Sequence, residues 1–376
     1  FGFATITSEV NNDDIVILDG TKGVVIVDPS EEELNVYRSE EEKFVAFVQQ
    51  LNQIKDLPAS TTDDHVIDLA ANIEFPSDIP SILEHGANGI GLYRTEYMYL
   101  SHTGFPTEEE QFEAYKTVAE KMGDKPVVIR TLDLGGDKFA ASLQLPKELN
   151  SFMGWRAIRF CLTRIDVFKT QLRAILRASA YGNLKIMFPM ITTLNEVLQA
   201  KQIVEEVKKE LKTVGIAFND EIEIGIMVEV PTTAIVSDVF AQEVDFFSIG
   251  SNDLIQYCLA VDRGNEKVAY LYQPAHPAIL QLIKQTIDNA HKHSIWVGLC
   301  GEMASDPALA IVLLGLGIDE LSVSSVLLPT VKKAIRSLSF TEAKEVAQKC
   351  LSFSSSEETI AFVNERLKHI LGKEIQ

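Results

Sequence analysis

The chain has 376 residues, of which 46% are hydrophobic and 23% charged, and its formal net charge at pH 7 is -20. This length exceeds one small domain and is sufficient for a large α/β domain with an additional segment. The acidic balance disfavours nucleic acid and anionic membrane surfaces as partners. The 4 cysteines lack paired or zinc-like spacing, and no apolar run is long enough to span a bilayer, so we expect a soluble protein of the reducing cytoplasm.

The first 30 residues contain two short β-branched runs separated by a glycine-containing turn, a pattern that predicts a β-hairpin. We interpret residues 1–30 as the end of a β-rich domain. A helical pattern follows, opened by a capping box of Ser30 and Glu33, and we assign residues 31–60 to a linker helix. Because the chain does not begin with methionine, we expect it to be a fragment of a longer protein.

From about residue 61 the pattern changes to short apolar runs separated mostly by helical stretches. Eight such runs predict a (β/α)8 TIM barrel for residues 61–376, with helices after the last strand packed outside it. The predicted strands cover residues 66–72, 89–95, 126–133, 184–191, 223–230, 244–250, 295–301 and 318–323.

Arginines lie at or after the C-terminal ends of the predicted strands, where a parallel barrel keeps its chemistry. They are Arg94, Arg130, Arg156 and Arg263. Guanidinium groups bind phosphate and carboxylate oxygens in pairs, so we predict a small, highly charged anion as the substrate. The alternative is that each arginine pairs with a rim carboxylate such as Glu96 or Glu302. That alternative is competitive for one arginine and is the weaker account for four.

Two acidic residues follow neighbouring predicted strands, Glu229 after one and Asp253 after the next. Carboxylates without a suitable histidine or cysteine cluster favour a hard cation, with Mg²⁺ first, which would complete its shell with water and substrate. The alternatives are that Glu229 pairs with a rim arginine and that Asp253 caps a helix N-terminus.

Cys300 is the cysteine that the pattern places at the C-terminal end of a predicted strand. Its thiol could act as an acid or a nucleophile, although buried cysteines more commonly serve as small apolar residues. The flanking Gly298 and Gly301 predict room for a ligand to approach. His276 could also reach this rim, but a structural role is favoured for it.

The motifs resemble the C-terminal part of enzyme I of the bacterial sugar phosphotransferase system, the phosphoenolpyruvate–protein phosphotransferases. The segments that carry the resemblance include Gly-Ile-Gly-Leu-Tyr-Arg-Thr-Glu at 89–96, Arg-Thr-Leu-Asp-Leu-Gly-Gly-Asp-Lys at 130–138, Gly-Trp-Arg-Ala-Ile-Arg at 154–159, Gly-Ile-Met-Val-Glu at 225–229, Asn-Asp-Leu at 252–254, Leu-Ala-Val-Asp-Arg-Gly-Asn-Glu at 259–266 and Gly-Leu-Cys-Gly-Glu at 298–302. The wider family includes pyruvate phosphate dikinase and phosphoenolpyruvate synthase, which share the barrel.

The resemblance implies a role for each matched residue. The residues that would hold the phosphate and carboxylate of phosphoenolpyruvate are Arg94, Arg130, Arg156 and Arg263, with Asn252 assisting. Glu229 and Asp253 would bind Mg²⁺, and Cys300 would protonate the methylene carbon as pyruvate forms. In this family the phosphoryl group passes to a histidine on a mobile domain and then to a small phosphocarrier protein. The barrel domain of this family also dimerises, so the resemblance implies a homodimer.

Three departures from the family pattern bear on this expectation. The phosphohistidine motif, Gly-Gly-x-Thr-Ser-His, does not occur in the chain, so we expect substrate binding without complete phosphotransfer by this chain alone. Ser151 stands where the family usually has proline, which could loosen the loop that carries Arg156. Glu74 replaces a common glycine and adds an acidic group near the rim, in a direction that the sequence leaves open.

Two other functions stay open at this point. One is a dikinase or synthase barrel, whose parent chain would also carry an ATP-binding domain. The other is a regulatory paralogue that senses phosphoenolpyruvate without transferring phosphate. All the matched catalytic positions are intact, which argues against the regulatory alternative.

Overall fold

The computed structural model of the protein describes residues 6, 10–20, 23–101, 104–135 and 150–371. The chain divides after residue 54 into two compact units. In the first unit, strands β1 (Val16–Asp19) and β2 (Val24–Val27) pair as an antiparallel hairpin, as predicted. Helix α1 (Glu31–Ile54) follows. Its start is fixed by the predicted capping box, in which the Ser30 amide donates to the Glu33 carboxylate at 2.8 Å.

The second unit is built on a closed barrel of parallel strands, which confirms the predicted fold. The strands are β3 (Asp68–Ile73), β4 (Ile90–Tyr93), β5 (Val127–Arg130), β6 (Leu184–Phe188), β7 (Ile224–Val228), β8 (Phe246–Ile249), β9 (Trp296–Leu299) and β10 (Glu320–Val323). Each strand pairs with the next along the chain, and β10 closes the barrel against β3. Most strands end earlier than predicted, because their last polar residues turn away from the ladder into the rim loops that form the site.

Helices surround the barrel and follow the alternating pattern. They are α2 (Ile79–Glu84), α3 (Glu96–Leu100), α4 (Glu108–Met122), α5 (Ile158–Thr163), α6 (Ile165–Ala178), α7 (Leu194–Thr213), α8 (Pro231–Ile235), α9 (Ser237–Phe240), α10 (Ser251–Leu259), α11 (Pro277–Lys292), α12 (Pro307–Leu316), α13 (Leu328–Arg336), α14 (Phe340–Cys350) and α15 (Ser356–Leu371). Helix α12 is apolar on nearly all sides and buried, and α14 packs against it. Among the described residues, no helix combines the length and apolar character needed to cross a membrane.

The barrel interior is apolar towards its centre and carries a buried acid, Glu320, on β10. Its carboxyl occupies space that the missing side chains of Gly91 and Gly298 leave free, since a Cβ atom there would lie 2.5 and 2.9 Å from Glu320 Oε1. Burial and the neighbouring Asp68 raise the pKa of Glu320 to about 8, while Lys185 opposes that shift. Ionisation of Glu320 therefore destabilises the folded protein.

As the pH rises, ionisation of Glu320 should lower the stability of the folded protein. The Glu320→Gln variant is expected not to show this loss. The folded pKa of about 8 lies above the ordinary carboxyl value, so stability is lost between roughly pH 4.5 and 8 as the unfolded chain ionises first. The loss is on the order of a few kcal/mol. Melting temperatures of both proteins across this range should diverge in favour of Glu320→Gln as the pH rises. A constant difference would contradict this.

Candidate active site

The polar residues that follow β5, β7 and β8 converge at the C-terminal end of the barrel. Carboxylate oxygens of Asp133, Glu229 and Asp253 all lie within 4.8 Å of one another, and we call these residues the acidic triad. Asp133 and Glu229 are buried, and Asp253 lies in the first turn of α10. The structure therefore brings together the two acidic residues that the sequence indicated and adds a third.

Two arginines face the acidic triad, Arg156 buried and Arg130 nearly so. Arg130 contacts Glu96 at 3.1 Å and Asp133 at 2.9 Å, while Arg156 contacts Asp133 at 2.7 Å and Asp253 at 3.3 Å. Burial by itself lowers the pKa of Arg130, but the carboxylates of Glu96 and Asp133 raise it well above its ordinary range. Both arginines stay charged. The buried Arg130 Nε has no hydrogen-bond partner among the residues that the structure describes, which leaves a donor free for an oxygen ligand.

The loop before α5 holds Arg156 in place through an unusual backbone conformation. Ala157, the next residue, has a φ of 55°, a value that favours glycine, and its amide donates to the Leu134 carbonyl at 3.2 Å. Arg156 also pairs with Gly135 in an isolated β-bridge. The backbone is thus strained and tied to the loop after β5, which aims the guanidinium at the triad. Ser151 begins a short 3-10 turn, Ser151–Met153, in the same loop.

A backbone amide holds the carboxylate of Glu229 in place. Its Oε1 accepts a hydrogen bond of 2.6 Å from the amide of Met190, whose φ of 56° turns that amide towards the barrel. Burial raises the pKa of Glu229 well above its ordinary value, and the charges of Asp133 and Asp253 raise it further. An acid in this position is stabilised in its ionised form by an added positive charge.

The charge balance and the ligand set fit a divalent metal ion. Glu96 and the acidic triad supply four carboxylates, whereas Arg130 and Arg156 supply two positive charges. Two negative charges are then uncompensated when all four acids ionise. A set of carboxylate oxygens is what Mg²⁺ prefers, and it leaves coordination positions for water and substrate oxygens.

The other two arginines lie at the solvent-exposed rim. Arg94 Nη1 contacts Glu74 at 2.8 Å, and Arg263 contacts Glu302 at 3.3 Å. All four arginines therefore pair with carboxylates, as the alternative interpretation of the sequence held, although the buried pairs leave an excess of negative charge. Asn252 Oδ1 accepts from the Glu302 amide at 2.9 Å, which fixes its position between the rim and the triad.

Cys300 lies immediately after β9, is 3% exposed, and lines a cleft of about 490 Å³ together with Arg94, Asn252 and Glu302. Burial raises the pKa of its thiol to about 11, although the Ser248 hydroxyl and Arg130 reduce that shift. The thiol is therefore protonated at neutral pH.

Cys300 has the room that the sequence predicted, because it lines the cleft together with Gly301, but this space does not come from the missing side chains of the glycines. Gly298 accommodates Glu320, and a Cβ atom on Gly301 would lie 1.9 Å from Ser251 Oγ. Both glycines permit close packing between barrel elements. The space beside Cys300 is the cleft, which is lined by residues of β3 and of the loops after β3, β4, β8, β9 and β10.

His276 has a structural position, in agreement with the favoured interpretation. Its Nδ1 accepts from the Ala278 amide at 3.2 Å and caps the N-terminus of α11. The residues Gly136, Asp137 and Lys138, which complete one of the motifs, lie outside the described residues.

Sequence reasoning missed two functional groups. Asp133 follows β5 in the same motif as Arg130, so its position at a strand end was the signal available. Gln171 gave no such signal, because it lies within α6. It is buried, donates to Thr95 Oγ1 at 3.2 Å and accepts from the Leu132 amide at 2.9 Å, and so ties the loops after β4 and β5 together.

Comparison with known families shows which family the chain belongs to. The profile described as "PEP-utilising enzyme, PEP-binding domain" matches residues 48–340, well over half of the chain. The chain belongs to this family of PEP-utilising enzymes. The resemblance inferred from the motifs is thus confirmed, and the matched region contains the acidic triad, all four arginines and Cys300.

Curated relatives agree with membership of the PEP-utilising enzymes. A protein of Staphylococcus aureus is 52% identical over 367 residues, which cover 98% of this chain and 64% of that protein. Relatives from Bacillus subtilis (strain 168), at 52% identity over 98% of this chain, and Priestia megaterium, at 51% over 96%, are covered to 64% and 63% of their lengths. Each is named phosphoenolpyruvate-protein phosphotransferase. The chain thus spans about 64% of the length of the curated relatives that it matches.

Proposed function

We propose that this chain is the phosphoenolpyruvate-binding part of a phosphoenolpyruvate–protein phosphotransferase. It binds phosphoenolpyruvate with Mg²⁺ and supports transfer of the phosphoryl group to a histidine on a separate domain, with release of pyruvate. The observation that carries the proposal is the pairing of Arg130 and Arg156 with the acidic triad, at the C-terminal end of the strands, where parallel barrels keep their active sites.

The arginines provide the anion site. Arg130 and Arg156 present planar guanidinium groups in a buried environment, where hydrogen bonds to phosphate oxygens are stronger than in water. Arg94 and Arg263 lie farther out and complete the contacts to the phosphate and carboxylate, with Asn252 between them. Rate acceleration in phosphoryl transfer comes mainly from such positioning and charge neutralisation.

Glu229 and Asp253 would hold the metal, and Asp133 belongs with them because its carboxylate lies in the same triad. A bound Mg²⁺ would neutralise charge on the phosphate and on the oxygen that keeps the electron pair when the P–O bond breaks. Asp133 also contacts both buried arginines, so it links the metal ligands to the anion site.

Cys300 is proposed as the proton donor. Cleavage of the P–O bond leaves the enolate of pyruvate, whose methylene carbon must gain one proton. The thiol gives up that proton and becomes a thiolate, which solvent then reprotonates. Its pKa of about 11 keeps the thiol protonated beforehand, and Arg94 and Arg130 favour the thiolate that forms.

The remaining parts of the proposal concern location and partners. We propose a cytoplasmic protein that forms a homodimer through the barrel domain and hands the phosphoryl group, through its histidine domain, to a phosphocarrier protein. Residues 1–30 would be the end of that histidine domain, and residues 31–60 the linker. Sedimentation should show association that tightens with phosphoenolpyruvate and Mg²⁺, and a monomer at saturating ligand would contradict the homodimer.

Binding of phosphoenolpyruvate is expected to require Mg²⁺ or Mn²⁺. Without the ion, the trianionic substrate would meet a buried site with an excess of carboxylates, and the repulsion opposes the contribution of the arginines. Titration calorimetry with added Mg²⁺ and with a chelator measures both affinities. Equal affinity under the two conditions would overturn the metal assignment, and no binding under either would overturn the proposed substrate.

A further inference from the structure

Glu74 forms an ion pair with Arg94, one of the arginines of the proposed anion site. Its Oε1 lies 2.8 Å from Arg94 Nη1, and the side chains are 49% and 38% exposed. Both residues line the same cleft as Cys300 and Asn252. An anion that reaches Arg94 from solvent must therefore compete with a carboxylate that the protein itself supplies.

A tight turn fixes the backbone from which the Glu74 side chain extends. The amides of Glu74 and Phe75 both donate to Asp78 Oδ2, at 3.0 and 2.9 Å, which closes a tight turn after β3. The Phe75 ring packs edge-on against Tyr97, with ring centroids 4.2 Å apart. On the other side, the Arg94 amide donates to the Ile73 carbonyl at 2.9 Å. The backbones of both partners are therefore fixed by hydrogen bonds at the point where the ion pair forms.

The pair differs from the other ion pairs of the anion site. Arg130 and Arg156 pair instead with carboxylates of the acidic triad, which are the proposed metal ligands. The Arg263 pair is longer, at 3.3 Å, and its partner Glu302 is 73% exposed. Glu74 is thus the rim carboxylate best placed to hold an arginine away from substrate.

We propose that Glu74 acts as an internal competitor of the substrate. It neutralises Arg94 until an anion of higher charge displaces it, and so weakens binding of phosphoenolpyruvate and disfavours singly charged carboxylates more than triply charged phosphate esters. This inference rests on the proposed function, because it assumes that the ligand is a polyanion. Glu74 is a positioning residue in this account, since it acts through Arg94.

Calorimetry of Glu74→Gln with phosphoenolpyruvate and Mg²⁺ tests the inference. We expect the dissociation constant to fall about two- to fivefold at low ionic strength, the range that a partly exposed ion pair supports. The gain should shrink at high ionic strength, where exposed charges are screened. In an Arg94→Gln background, the same change should give a much smaller gain, which a merely structural role of Glu74 would not predict.

The matched control is Asp220→Asn. Asp220 forms an exposed pair with Lys212 at 2.6 Å and precedes β7, at the opposite end of the barrel, so its removal should leave affinity unchanged. If wild type binds phosphoenolpyruvate and Glu74→Gln binds no more tightly, this inference fails while the proposed function stands. If neither protein binds it, both fail. Tighter binding that persists without Arg94 would also overturn the inference.

Discussion

Replacing Cys300 with serine is expected to slow proton transfer at the pyruvate methyl group by about a hundredfold to ten-thousandfold, the usual contribution of a positioned acid or base. The hydroxyl keeps nearly the same size but is a far weaker acid than the thiol. The reaction can be followed with this chain alone, as Mg²⁺-dependent exchange of pyruvate methyl protons in D₂O. Exchange needs the thiolate, so the wild-type rate should increase with pH below the thiol pKa of about 11.

The affinity for phosphoenolpyruvate separates a loss of chemistry from a loss of structure. Cys300→Ser leaves the arginines and the acidic triad unchanged, so calorimetry should give nearly the wild-type dissociation constant. Cys258→Ser is the matched control, because Cys258 is a half-buried cysteine that does not line the cleft. Exchange at the wild-type rate in Cys300→Ser would show that Cys300 is a packing residue and that the proton comes from elsewhere.

Replacing Glu229 with glutamine is expected to abolish metal-dependent binding while stabilising the fold. Glutamine can still accept from the Met190 amide, and it removes one buried negative charge beside Asp133 and Asp253. The affinity for phosphoenolpyruvate with Mg²⁺ should fall by about a hundredfold or more, since even the partners of metal ligands contribute up to that much. Without added metal, stability should rise by about 1 kcal/mol and the melting temperature by a few degrees.

The pH dependence tests the physical cause of this stabilisation. The pKa of Glu229 is raised in the folded protein. The unfolded chain therefore ionises first as the pH rises above the ordinary carboxyl range, and the folded protein loses stability. The difference in melting temperature between Glu229→Gln and wild type should therefore grow with pH and shrink when Mg²⁺ is added. A variant that melts lower than wild type at every pH, or still binds phosphoenolpyruvate with Mg²⁺, would contradict the assignment.

The barrel could be predicted from the sequence because its strands are buried on both faces. Residues 184–188 and 224–228 are mostly apolar runs. Such runs, separated by helices, are typical of parallel strands that are buried on both faces. The same pattern located Glu229 and Asp253, because the C-terminal ends of parallel strands meet at one rim. The predicted strand ends were less accurate, because the last polar residues of a run can either continue the hydrogen-bonded ladder or turn away into the site.

The partners of the side chains could not be predicted in this way. Which carboxylate meets Arg156 depends on the strained conformation of Ala157, and the hydrogen bond to Glu229 depends on the positive φ of Met190. Neither residue type favours such a backbone, so local propensity gives no sign of it. The direction of Glu74 likewise follows from the turn closed by Asp78, a contact between side chain and backbone that no periodicity encodes.

The close approach of Gly301 to Ser251 links the evolution of two loops. A methyl group at position 301 would overlap the Ser251 hydroxyl, so neither residue can be enlarged unless the other recedes. Ser251 precedes Asn252 and Asp253, while Gly301 follows Cys300. Among homologues, positions 251 and 301 should therefore covary. A larger residue at either position should also displace the neighbouring Asp253 and Cys300, because the two loops share one packing constraint.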